Sequence, residues 1–157
     1  MNFLLIILIL VAAWRGWCGA KRGFVDEAGR LISLLISLFV LSLAILLYTS
    51  IREKDTKNII LSAVMLLLTG FAAKLIHLLT KSLSALARLP LIALINRILG
   101  LAIGILEAVV ALWIIYVIVA AFDTGAFGQT VMRWTEDSEI LQKLFRMNRI
   151  AYWMAGL

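Results

Sequence analysis

Four apolar runs dominate the chain: Asn2 to about Trp17, Leu31 to Tyr48, Ile59 to about Leu79, and Ile98 to Phe122. Each is bounded by charged residues rather than by clusters of Gly, Pro and Asn. That is the pattern of helices crossing lipid, where every backbone polar group must be satisfied within its own segment. Leu31 to Tyr48, about 18 residues rising ~1.5 Å each, spans roughly 27 Å, close to the hydrocarbon thickness of a bilayer. The first run is shorter, so its helix is expected to continue past Arg15, whose long side chain reaches the interface beside Trp14 and Trp17.

Two further stretches carry a helical period with a polar face. Around residues 80–97, Lys81, Ser84, Ala85 and Arg88 alternate with Leu79, Leu83, Leu86 and Ala87, which predicts an interfacial extension of the third helix that Pro90 stops. Near the C-terminus, Glu139, Gln142, Lys143, Arg146 and Arg149 oppose Ile140, Leu141, Leu144 and Phe145, with Asp137 or Ser138 as the N-cap. The expected architecture is an all-α polytopic membrane protein. Residues 1–122 form four transmembrane helices arranged as two hairpins, and residues 123–157 form an amphipathic tail lying on the membrane or on the bundle.

Composition narrows the class. Of 157 residues, 64% are apolar and only 15% are charged, so the chain lacks the polar surface of a soluble domain. The 15 basic residues against 9 acidic ones are dispersed among short connections, which suits topogenic loops and gives no nucleic-acid-binding stripe. One cysteine and one histidine, Cys18 and His77, supply neither a disulfide framework nor a metal site within the chain. The N-terminal run has no basic segment before it and is expected to remain as the first helix. Arg15, Lys21, Arg22, Arg30, Lys81, Arg88 and Arg97 lie in the first and third connections, against Arg52, Lys54 and Lys57 in the second. This bias predicts that the first and third connections are cytoplasmic and both termini face outward.

Candidate chemistry centres on Glu107, which lies deep in the fourth run, where an ionised side chain requires a partner. Gly100, Gly104, Ala108 and Ala111 make a small-residue seam on its helix, and Gly70, Ala73, Lys74 and His77 make a comparable face on the third. Antiparallel packing of the two predicts a polar cluster of Lys74, His77 and Glu107, either locking the helices or binding a proton or cation. In the charged connection "RGWCGAKRGFVDEAG", Gly19 and Gly23 are expected to form a tight turn, Asp26 to support Arg30 at i, i+4, and Glu27 to favour the start of the second helix. Ser33 and Ser37 form a mild polar stripe below Arg30. No catalytic set, phosphate loop or cofactor motif is present, so no enzyme activity, cofactor or metal is expected.

The arrangement resembles the colicin V production protein family of bacterial inner-membrane proteins. The resemblance is carried by Arg15, Gly16, Arg22, Gly23, Phe24 and Glu27 in the first connection, by Asn96, Arg97, Gly100 and Gly104 at the fourth helix, and by Ser138 and Leu141 in the tail. At position 107 the family often carries a basic residue, and this chain has an acid. The resemblance implies a small multi-spanning inner-membrane protein needed for producing or exporting a peptide toxin, with no known molecular activity attached. The expected function is that of a non-enzymatic accessory or scaffold for toxin production or export and envelope homeostasis. Its partners would be the lipid bilayer, further copies of itself through small-residue helix faces, and an envelope or export protein. The alternative is an oligomeric channel or small transporter using Glu107 with Lys74 or His77.

Overall fold

The computed structural model describes residues 2–54, 56–84, 93–122 and 124–149. Among them are six helices: α1 (Phe3–Arg22), α2 (Phe24–Glu53), α3 (Thr56–Ser84), α4 (Ala93–Ala121), α5 (Gly125–Glu136) and α6 (Glu139–Met147). The first four are long and apolar enough to cross a membrane, and the protein is an all-α, multi-pass membrane protein. The helices overrun the apolar runs. The 30 residues of α2 extend to about 45 Å at ~1.5 Å per residue, half as long again as the hydrocarbon layer.

The first connection is far shorter than its sequence implies. Asn2 caps α1 by accepting a hydrogen bond from the Leu5 N–H at 3.1 Å, and the helix then runs unbroken through Arg15, Gly16, Gly19 and Lys21 to Arg22. Gly23 alone makes the turn. Its φ of +91° suits a residue without Cβ, and its N–H closes α1 on the Gly19 carbonyl at 2.8 Å. Gly19 is therefore helical and buried, not part of the turn. Its lack of a side chain serves packing instead.

Neighbours in space do not follow chain order. α1 and α2 both lie along α4 and meet each other only slightly, while α3 packs along α2. Contacts of Gly16 with Leu101 and Ile105, of Gly19 with Gly100, and of Gly23 with Asn96 show that α1 runs antiparallel to α4. The expected packing of the Gly70 face of α3 against α4 does not occur among the described residues. A Cβ on Gly70 would meet nothing within 4 Å. The reason is competition for one seam: α1 brings Gly16 and Gly19 against Gly104 and Gly100 and so approaches more closely than α3 could. The interfacial extension and its stop at Pro90 lie largely outside the described residues, although α3 does continue to Ser84.

The tail folds back on the bundle. α5 is an addition to the expected elements, and it buries Gly128, Val131 and Thr135. α6 begins at Ser138, whose side chain accepts from the Leu141 N–H at 3.5 Å. The main apolar core gathers here, combining Leu4 of α1, Leu38 and Ile45 of α2, Leu112, Tyr116 and Val117 of α4, Val131 of α5 and Leu141 of α6.

Candidate functional site

At the Gly23 end, α1 and α4 meet with almost no side-chain bulk between them along their glycines. The backbones of Gly19 and Gly100 touch so closely that a methyl group on either would overlap the other, and Gly104 meets the Arg15 and Gly16 backbone in the same way. Helix α2 is tied in by a cap from another helix. The Asn96 side chain accepts a hydrogen bond from the Phe24 N–H at 2.7 Å, supplying an acceptor that the glycine before Phe24 lacks.

The close approach of α1 and α4 sets a ring of charge around Arg15. Its guanidinium donates to Glu27 Oε1 at 3.2 Å and contacts Glu107 Oε2 directly. Arg22 stands 3.7 Å from Glu27 Oε2, and Arg30 stands 3.7 Å from Glu107 Oε1. Both carboxylates are enclosed, with Glu27 at 0% and Glu107 at 1% exposure. The Glu27 side chain passes within 3.4 Å of where a Cβ on Gly19 would be, so the glycine also makes room for the acid. α1, α2 and α4 are thus held by one guanidinium spanning two buried acids. Removing either kind of partner would strand a desolvated charge.

Glu107 is buried, and its partner is Arg15, with Arg30 at longer range, rather than Lys74. Lys74 is exposed on α3, and the side chain of His77 lies outside the described residues. Asp26 does not pair with Arg30, which turns instead toward Glu107. Ser33 and Ser37 satisfy their hydroxyls on carbonyls of their own helix, at 2.9 and 2.8 Å. Arg97 is exposed and outside the ring. Among the described residues no group of three or more His, Cys, Asp or Glu side chains could hold a metal.

The two sequence elements around Arg15 to Glu27 and Asn96 to Gly104, separated by some 70 residues, are therefore one structural site. A family model described as colicin V production protein matches residues 4–148. The chain belongs to the colicin V production protein family. No curated protein and no solved structure matches it significantly.

In this colicin V production family member the match takes in the tail as well as the four long helices, and the tail has its own attachment. Trp113 Nε1 donates to the Leu144 carbonyl, and the Asn148 side-chain amide donates back to the Trp113 carbonyl, both at 3.0 Å. Tyr116 and Thr135 share a buried hydrogen bond of 3.0 Å. Because Thr135 donates to the Val131 carbonyl at 2.8 Å, the tyrosine hydroxyl is the donor in that pair. Asn2 bonds to the Trp134 carbonyl, so the start of α1 and the tail lie together. The sequence reading missed α5 and the partnership of Arg15 and Arg30 with Glu107. For α5 a signal existed in the small or β-branched residues Gly128, Val131 and Thr135, spaced for one helix face.

Proposed function

We propose that this membrane protein, tied by its family to colicin production, acts as a non-enzymatic scaffold in the bacterial inner membrane. It supports production or export of a peptide toxin and envelope homeostasis, as a homo-oligomer or with an export partner. The observation that carries this reading is the enclosure of Glu27 and Glu107 around Arg15 inside a single chain. Charges consumed in a lock between three helices fix a shape, and they leave the outward faces apolar for lipid and for other helices. The meeting of Asn2 with Trp134 supports placing the start of α1 and helix α5 on one side. The basic residues Arg15, Lys21, Arg22 and Arg30 favour the Gly23 end as cytoplasmic. A path lined by Glu107 with Lys74 has little support, because Lys74 sits on a helix packed along α2 rather than α4.

The test is complementation in a toxin-secreting strain deleted for this protein. The unaltered chain restores secreted toxin, while Arg15→Gln, which opens the lock, does not. In parallel, purified protein in liposomes passes no cations or protons, and its subunit count in nanodiscs exceeds one. Flux that disappears with Glu107→Gln would replace the scaffold by a channel, and a strict monomer would remove the homo-oligomer from the proposal.

A further inference from the structure

We propose that the Gly23 end binds one anionic phospholipid headgroup, gripped through its phosphate by Arg22 and Arg30. The starting point is charge balance. Arg15, Arg22 and Arg30 present three guanidinium groups to the two carboxylates of Glu27 and Glu107, which leaves one positive charge uncompensated at the edge of an apolar bundle. Arg15 is committed to both acids and is only 15% exposed. Arg22 and Arg30 are not committed. They stand at 3.7 Å from their carboxylates, beyond hydrogen-bonding distance, and their side chains are 45% and 47% exposed. Each guanidinium has five donors in a planar fork, so both half-exposed groups retain donors that no carboxylate uses, and such a fork suits a phosphate.

The surroundings favour a lipid over a free anion. Lys21, on the last turn of α1, lies over the exposed Trp17 ring at 5.2 Å, and Trp14 and Trp17 are each 65% exposed. An aromatic belt beside basic side chains marks headgroup depth in a bilayer. The other charges at this end are Arg97 on α4 and Asp26 on α2. Both are exposed, and Asp26 forms no ion pair among the described residues. A headgroup bearing one negative charge offsets the excess of one within the ring, while Lys21 and Arg97 against Asp26 keep the whole end net positive; its acyl chains would run along the apolar sides of α1 and α2.

The experiment is native mass spectrometry of the full chain in mild detergent, titrated with phosphatidylglycerol and with phosphatidylcholine. The expected result is one saturable phosphatidylglycerol adduct, retained more strongly than the zwitterionic lipid. Arg22→Gln and Arg30→Gln should each weaken it about fivefold, and Arg52→Gln, at the far end of α2, should leave it unchanged. Should Arg30→Gln fail to fold, Arg22→Gln combined with the charge-conserving Arg30→Lys reads the same site. Three results would overturn the proposal: equal retention of the two lipids, a loss for Arg52→Gln equal to that for Arg22→Gln, or displacement of the lipid by glycerol phosphate at comparable concentration. The first denies charge selection, the second describes diffuse attraction, and the third describes a plain anion site.

Discussion

The two halves of α4 are held by opposite means. From Asn96 to Glu107 the contacts are backbone against backbone through Gly19, Gly100 and Gly104, sealed by a ring of ions. From Ala108 to Ala121 they are large side chains, with Leu112, Tyr116 and Val117 buried against α1, α2, α5 and α6 and neutral hydrogen bonds to the tail. The first half tolerates almost no change of volume or charge, since glycine and arginine have no near substitutes there. The second is redundant, because many apolar contacts and several hydrogen bonds share the work. Rigidity at the charged end thus rests on a few residues, and cohesion at the tail end rests on many.

The sharpest way to break this contrast is Arg15→Gln, which leaves Glu27 and Glu107 buried without their shared cation. A loss of about 3–5 kcal/mol is expected, measured by reversible unfolding in mixed micelles. Neutralising both acids in the same chain should recover most of it. Next comes Gly19→Ala, whose methyl overlaps the Gly100 backbone and should cost about 1–3 kcal/mol. The same substitution at Gly70, in open space, should instead stabilise α3 by about 0.5–1 kcal/mol. In the other half of α4, Tyr116→Phe removes a single donor to Thr135 and should cost about 1 kcal/mol, with near-native protection of α6 amides in hydrogen exchange. The smallest effect belongs to Lys74→Gln, within about 0.5 kcal/mol of the unaltered chain. A loss there as large as that of Arg15→Gln would return Lys74 to the role of Glu107's partner.

The spans were legible because hydropathy reports lipid exposure, residue by residue, whatever the helices do to one another. Their ends were less so. Lys21 and Arg22 read as a loop by charge, yet they extend α1, since a basic last turn suits the negative end of a helix. Gly19 and Gly23 look alike in the sequence, and only Gly23 adopts a positive φ. The need of Glu107 for a partner could be inferred from depth alone. Which partner it takes could not, because the small-residue faces of α1 and α3 have similar periods and only one can occupy the seam of α4. Arg15 read as an interfacial side chain for the same reason: its inward direction is set by helix pairing, and no single helix reports that.

The cap that Asn96 places on Phe24 also bears on how the protein is assembled during synthesis. α1 and α2 leave the ribosome long before α4, and at that stage the first turn of α2 has no acceptor from another helix. Arg15 and Glu27, only twelve positions apart, can neutralise each other in this early hairpin and so ease its entry into lipid. Glu107 arrives later, already matched to a waiting guanidinium, and Asn96 then completes the first turn of α2. The arrival of α4 therefore supplies both the cap and the second acid of the lock, so the first hairpin reaches its final form only when the fourth helix is in place.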